Sequence, residues 1–201
     1  TTGARVGRTS IGDDLTVDVV DLPGLYQVSL DAPEAKVVRG VLEGAGVYRQ
    51  PDALLVVVDA CNLTRNLVLV GELLAYRLPV VVALNMVDLA QRRGLTLDPV
   101  RLAAYLGCAV VPIVARRGTG IDEVRTALRT ALAASHPPVS VTAVRVADVG
   151  GDLTTWAERA VTESVGGAAA VGSATDTLTE RLDKAFTHPV VGLLVFAVVM
   201  M

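Results

Sequence analysis

The sequence predicts an α/β fold with a mostly parallel sheet flanked by helices, and three observations carry that expectation. Hydrophobic residues make up 52% of the 201-residue chain while aromatics reach only 3%, so the core must be built from Val, Leu and Ala, as in strands buried on both faces. Short apolar runs alternate with stretches of helical spacing, the pattern of βαβ units. Polar motifs follow three of those runs, where open α/β sheets place their ligands.

Taken in order, residues 1–14 are polar and glycine-containing and leave their structure open. Residues 15–20 read as a strand ending in the turn Asp21-Leu22-Pro23-Gly24, and 32–47 as a helix. Residues 53–58 form a continuous apolar run followed by Asp59. Residues 64–76 have helical spacing, with Leu67, Val70, Leu73 and Leu74 on one side. Another apolar strand at 79–84 ends at Asn85. A helix at 99–106, a strand at 109–113 and a helix at 121–134 complete the alternation. Then the composition changes. Ser135-His136-Pro137-Pro138 signals a linker, 153–165 can form a helix, 166–173 is rich in Gly and Ala, and 175–186 reads as a second amphipathic helix. The expected organisation is a nucleotide-binding domain at 1–134, a helical spacer at 135–186 and the start of a membrane segment at 187–201.

The bulk chemistry narrows the function classes. A net charge of −3 provides no footprint for nucleic acid. Cys61 and Cys108 lie far apart, neither in a CxxC pair nor near a His, and read as reduced core thiols. His136 and His188 each stand beside a proline as linker residues. No His, Cys or carboxylate cluster has metal-ligand spacing. The chain opens at Thr1 without a signal peptide and stops inside the apolar run 189–201, shorter than the about 20 residues a spanning helix needs. Both termini therefore read as cuts.

Three motifs carry the chemistry, each weak alone. An Asp at a strand tip, such as Asp21, can associate with Mg²⁺ directly or through water. Gly24, three residues later, leaves its N–H free to approach a γ-phosphate. The same four residues also make a common turn. Asp88, after the strand at 79–84, can accept hydrogen bonds from the N1–H and 2-amino group of guanine, which adenine lacks. Asn85 can tie that loop to its neighbours and bond the base, although Asn and Asp are also good helix caps. The third loop, residues 114–120, offers a backbone N–H to guanine O6, or simply leads into the next helix. A metal loop, a base-reading loop and a closing loop following successive strands is the order of a GTPase, so the fold is expected to be P-loop-GTPase-like (Ras-like).

The segment Asp59-Ala60-Cys61-Asn62-Leu63-Thr64-Arg65-Asn66-Leu67 makes the match specific: it resembles the D-A-x-N-L-x-R-N-L stretch of FeoB-type ferrous iron transporters. Asp21-Leu22-Pro23-Gly24-Leu25-Tyr26 is similar to that family's D-L-P-G-x-Y, and residues 79–88, 107–112 and 116–122 continue the likeness. Residues 181–201 resemble the junction with its first membrane helix. The resemblance implies a GTP/GDP site with Mg²⁺ at Asp21, Gly24 at the γ-phosphate, Asn85, Met86 and Asp88 at the guanine, and Val114, Ala115 and Arg116 closing over it, with Ala115 donating to O6. Residues 23–33 become a mobile switch. It further implies Fe²⁺ as the transported ion, the protein's own membrane domain as partner, and a cytoplasmic position at the inner (plasma) membrane; homo-oligomerisation stays open.

The departures are specific. The phosphate-cradling G-x-x-x-x-G-K-[ST] is absent, so the chain as it stands is expected not to hydrolyse GTP. Met86 stands where most GTPases have Lys, and Val114 where the family usually has Ser. Leu25 follows Gly24 where some GTPases place a water-orienting Gln, so slow hydrolysis is expected. The spacer is shorter than the family's helical domain. Two other readings share the motifs: a soluble GTPase acting on RNA or ribosomes, which predicts a basic appended domain, and a pseudo-GTPase regulatory module without hydrolysis.

Overall fold

A computed structural model describes residues 4–12, 15–45, 49–134 and 152–165. The expected linker at 135–138, the helix at 175–186 and the apolar run at 189–201 lie outside the described residues.

Strands β3 (Leu54–Asp59), β4 (Val80–Asn85) and β5 (Ala109–Pro112) form a parallel sheet in the order β3-β4-β5. Leu54 pairs with Val80 and Asp59 with Asn85; Val81 pairs with Ala109 and Leu84 with Pro112. That register sets Asp59 and Asn85 side by side at one end of the sheet. Helices α2 (Leu63–Leu74), α3 (Val87–Arg92), α4 (Pro99–Leu106) and α5 (Ile121–Ala133) alternate with the strands. Successive side chains on a strand point to opposite faces, so these continuous apolar runs supply two layers. Leu54, Val56 and Val58, with Val80, Val82 and Leu84, bury one face beneath α2 and α4. Ala83 turns to the other face and meets Ile113 and Val124, over which α5 packs.

The polar N-terminal stretch contains a strand that no sequence pattern marks. Strand β1 (Arg5–Ser10) pairs antiparallel with β2 (Thr16–Asp21), Arg5 opposite Asp21, and Arg8 meets Asp18 at 2.7 Å across the pair. This hairpin shares no strand pairing with the three-stranded sheet among the described residues. Its side chains are exposed, so β1 shows no half-buried alternation. Helix α1 (Pro33–Leu42) is shorter than the expected 32–47. It stops because Gly44 takes a left-handed φ of 66°, a backbone that ends helices.

Helix α6 (Leu153–Ser164) reads from the sequence as part of a spacer, yet it belongs to the core. Its Trp156, Ala157 and Ala160 are fully buried against α2 and α4. Gly71 makes the approach possible: a Cβ there would lie 2.7 Å from Leu153 Cδ2 and 2.9 Å from Trp156 Cζ3. The Asp98 N–H donates to the Ser164 carbonyl at 2.8 Å, and Leu97 bridges Val165. Asp152 caps the helix by accepting from the N–H groups of Thr154 and Thr155. Among the described residues no helix is long and apolar enough to cross a membrane.

Candidate functional site

At the carboxyl end of β4 the chain makes a sharp turn. Met86 adopts a left-handed φ of 62°, is exposed, and starts α3 as its N-cap residue. Its carbonyl accepts from the N–H groups of Leu89 and Ala90 at 3.0 Å. Among the described residues no side chain caps α3, so neither Asn85 nor Asp88 is spent as a helix cap. The positive φ at a non-glycine residue costs of order 1–3 kcal/mol and is characteristic of functional turns. Asp88, in the first turn of α3, remains half-buried.

The closing loop lies directly against this turn. The Ala115 N–H donates to Asn85 Oδ1 at 3.1 Å. Arg117 reaches Asp88, with Nη2 to Oδ2 at 3.8 Å. The loop is a tight unit of its own: the Val114 N–H donates to the Thr119 carbonyl at 3.0 Å, and the Arg117 N–H to the Val114 carbonyl at 2.9 Å. Gly118 and Gly120 take φ of 72° and 83°. At Gly120 a Cβ would lie 2.4 Å from the Pro112 carbonyl oxygen, so only glycine fits. Ala115 and Arg116 are exposed and Val114 half-buried. Thus Asn85, Met86 and Asp88 and the loop Val114, Ala115 and Arg116 are brought together. The Ala115 N–H, expected to face guanine O6, is here engaged by Asn85.

Asp21 and Gly24 stand apart at the end of the β1–β2 hairpin. Asp21 is exposed, and a Cβ at Gly24 would meet nothing within 4 Å. Among the described residues, packing therefore does not require glycine there. No group of three or more His, Cys, Asp or Glu side chains is gathered for a metal among the described residues. One strand-end carboxylate suits Mg²⁺, which takes one or two protein carboxylates and fills its shell with phosphate oxygens and water.

Several residues before and along α2 carry no role that their sequence alone assigns. Asp59, at the end of β3, accepts from the Cys61 N–H at 2.8 Å and Asn62 Nδ2 at 2.7 Å. The D-A-x-N spacing thus makes a self-closed turn that starts α2. Burial first, then the Asp59 carboxylate, pushes the Cys61 thiol up, which keeps it protonated and unreactive at neutral pH. Arg65 stacks on Tyr26, its guanidinium carbon 3.6 Å from the ring centroid. Glu72 accepts from the Val28 N–H and the Ser29 hydroxyl. The signal for Arg65 is present in the R-N-L motif; Glu72 carries none.

A parallel sheet with flanking helices and polar loops at its carboxyl end defines an α/β domain of the P-loop GTPase-like class. The structure resembles the FeoB G-domain from Methanococcus jannaschii, with a TM-score of 0.58 and 32% identity over 63% of this chain and 78% of that one. It also resembles an S. thermophilus NFeoB variant bound to GDP·AlF4⁻, with a TM-score of 0.56 and 36% identity over 65% of this chain and 50% of that one. In sequence, the Fe(2+) transporter FeoB of Legionella pneumophila (strain Lens) is 36% identical over 109 residues, which is 54% of this chain but only 14% of that protein. The family profile described as ferrous iron transport protein B matches residues 1–128. The chain belongs to the ferrous iron transport protein B (FeoB) family, and it spans about one-seventh of the length of that relative.

Proposed function

We propose that this chain is the guanine-nucleotide-binding, cytoplasmic part of an inner-membrane ferrous iron transporter, in which GTP binding and hydrolysis are coupled to Fe²⁺ uptake. The observation that carries the reading is the contact between the two loops at the ends of β4 and β5: Asn85 Oδ1 to the Ala115 N–H at 3.1 Å, beside a half-buried Asp88 that caps no helix. A carboxylate held there accepts from guanine N1–H and the 2-amino group. The Asn85–Ala115 bond sets the spacing of the two loops, and base binding exchanges or shares that N–H with guanine O6. Met86, Val114 and Arg116 shape the rim.

Asp21 associates with Mg²⁺, in the main through water, and Gly24 offers its N–H to the γ-phosphate. The metal supplies charge neutralisation for the phosphates when bound. The phosphate-loop chemistry is not carried by residues 1–201, and hydrolysis belongs to the protein only where such a loop joins this site. Nucleotide-bound relatives of similar fold support the ligand class.

The test is Asp88→Asn in the full-length protein. Guanine nucleotide affinity should fall by about two orders of magnitude, because a buried hydrogen-bonding site strongly rejects a mismatched partner. Xanthine nucleotides, which carry an oxygen where guanine has its amino group, should gain. Unchanged GTP affinity removes Asp88 from the site and the guanine reading with it.

A further inference from the structure

The segment that follows Gly24 is gripped by two helices. Tyr26 lies under the Arg65 guanidinium of α2, 3.6 Å from centroid to guanidinium carbon. Farther along, Glu72, also on α2, accepts from both the Val28 N–H and the Ser29 hydroxyl. Arg39 of α1 donates to the Val28 carbonyl and to the Leu30 carbonyl, the latter at 3.1 Å. Val28 itself is buried in the main core, and Leu22 and Leu25 pack against it. These contacts are independent in chemistry: a cation on a ring, a carboxylate on a backbone N–H and a hydroxyl, a guanidinium on two carbonyls.

Their consequence is geometric. Only Leu22, Pro23, Gly24 and Leu25 separate the end of β2 from the first gripped residue. Pro23 is buried with its φ fixed. The expected switch at 23–33 is therefore not one loose loop. Its second half is bound to α1 and α2, and what these side chains do not grip is the short piece carrying Gly24, whose neighbours Leu22, Pro23 and Leu25 face the core while Gly24 is exposed. A short arm tethered at both ends loses less conformational freedom when a ligand orders it than an untethered loop does.

We propose that Arg65 and Glu72 are positioning residues for the γ-phosphate response: by holding Tyr26 and residues 28–30 on α2, they preorganise Gly24 for a nucleoside triphosphate. This rests on the guanine-nucleotide reading above and deepens it. A diphosphate has no γ-phosphate for Gly24 to meet, so the clamp favours triphosphate over diphosphate and leaves diphosphate affinity unchanged. Neither side chain touches the nucleotide; each acts through the backbone it holds.

The experiment compares the full-length protein with its Arg65→Ala, Glu72→Ala and Glu72→Gln variants, titrated with fluorescent GDP and a fluorescent non-hydrolysable GTP analogue. Hydrogen exchange at the Val28 amide is followed in parallel. The alanine variants should lose about three- to tenfold in affinity for the GTP analogue with GDP affinity unchanged. Glu72→Gln keeps a carbonyl acceptor for the Val28 N–H and should recover most of the loss. In Glu72→Ala the Val28 amide should exchange faster while β4 amides keep their protection, which a general loss of folding would not produce. Equal losses for both nucleotides, no loss, or tighter binding of the GTP analogue overturns the clamp. If the unsubstituted protein binds neither nucleotide, the guanine reading fails first and the clamp falls with it, an outcome visible before any variant is compared.

Discussion

Truncating Trp156 to Ala tests whether α6 is part of the domain or an appendage. The indole is fully buried between α2 and α4. Aromatic side chains bury about 150–250 Å²; at roughly 25 cal/mol per Å² this is about 4–6 kcal/mol of apolar transfer. The tilted pairing with Tyr105, ring centroids 6.0 Å apart at 41°, adds about 0.5–1.5 kcal/mol. One term opposes these: among the described residues the buried indole Nε1 has no hydrogen-bond partner, a cost of about 1–3 kcal/mol that truncation relieves. The net expected loss is about 4 kcal/mol, within the range measured for buried Trp or Phe to Ala. With a urea m-value of about 2 kcal/mol/M, the midpoint should drop by roughly 2 M. Chemical denaturation followed by far-UV circular dichroism measures it. A loss under about 1 kcal/mol would mean that α6 is a detachable spacer and that Trp156 does not anchor it to the domain.

Other outcomes follow from the same geometry. Gly120→Ala should destabilise by about 2–4 kcal/mol, since it combines a φ of 83° with a Cβ 2.4 Å from the Pro112 carbonyl; thermal melts read it, and an unchanged Tm would contradict the backbone path of the closing loop. Asn85→Ala removes the acceptor for the Ala115 N–H; a stability loss of only about 0.5–1.5 kcal/mol should accompany a larger loss of guanine affinity, measurable by calorimetry. Burial pushes the Cys108 thiol up to about 12. The folded protein thus keeps this proton where the unfolded chain has lost it. Stability from the group is complete below about pH 9 and declines as pH rises toward about 12. At pH 8 a thiol reagent should modify native Cys108 about a hundredfold or more slower than the unfolded chain, and equal rates would refute the burial.

The α/β class was legible because strand runs such as residues 80–84 are apolar throughout and the helices between them keep a 3.6-residue period. The meeting of the loops after β4 and β5 was legible too: Asn85 ends β4, Asp88 and Ala115 follow β4 and β5 within a few residues, and the parallel register delivers those strand ends to one edge. What could not be read depended on contacts distant in sequence. Strand β1 shows no alternation because its side chains are exposed. Helix α6 reads as a spacer because its apolar face is short, and only the gap left by Gly71 tells where Trp156 goes. Glu72 reads as one more polar residue on a helix; its partners, Val28 and Ser29, lie more than forty residues away in sequence.

Adjacent positions on α2 serve different neighbours, and this sets a last prediction. Gly71 receives Trp156, while Glu72 holds the segment after Gly24. Successive residues on a helix point about 100° apart, so the two contacts are close in space yet face different elements. Arg65 lies six positions before Gly71, about 9 Å along the axis. Substitutions farther apart than roughly 7–10 Å usually add within about 0.5 kcal/mol, whereas neighbours couple by about 0.5–3 kcal/mol. A double-mutant cycle on stability, with Trp156→Phe so that the domain stays folded, should therefore show coupling with Glu72→Ala and near-additivity with Arg65→Ala. Equal coupling to both would mean that α2 shifts as a rigid rod when α6 is repacked, and that the grip on Tyr26 and the seat of Trp156 are two ends of one moving part. Coupling to Glu72 alone confines the influence of α6 to the anchored half of the segment and leaves the Gly24 arm to the nucleotide.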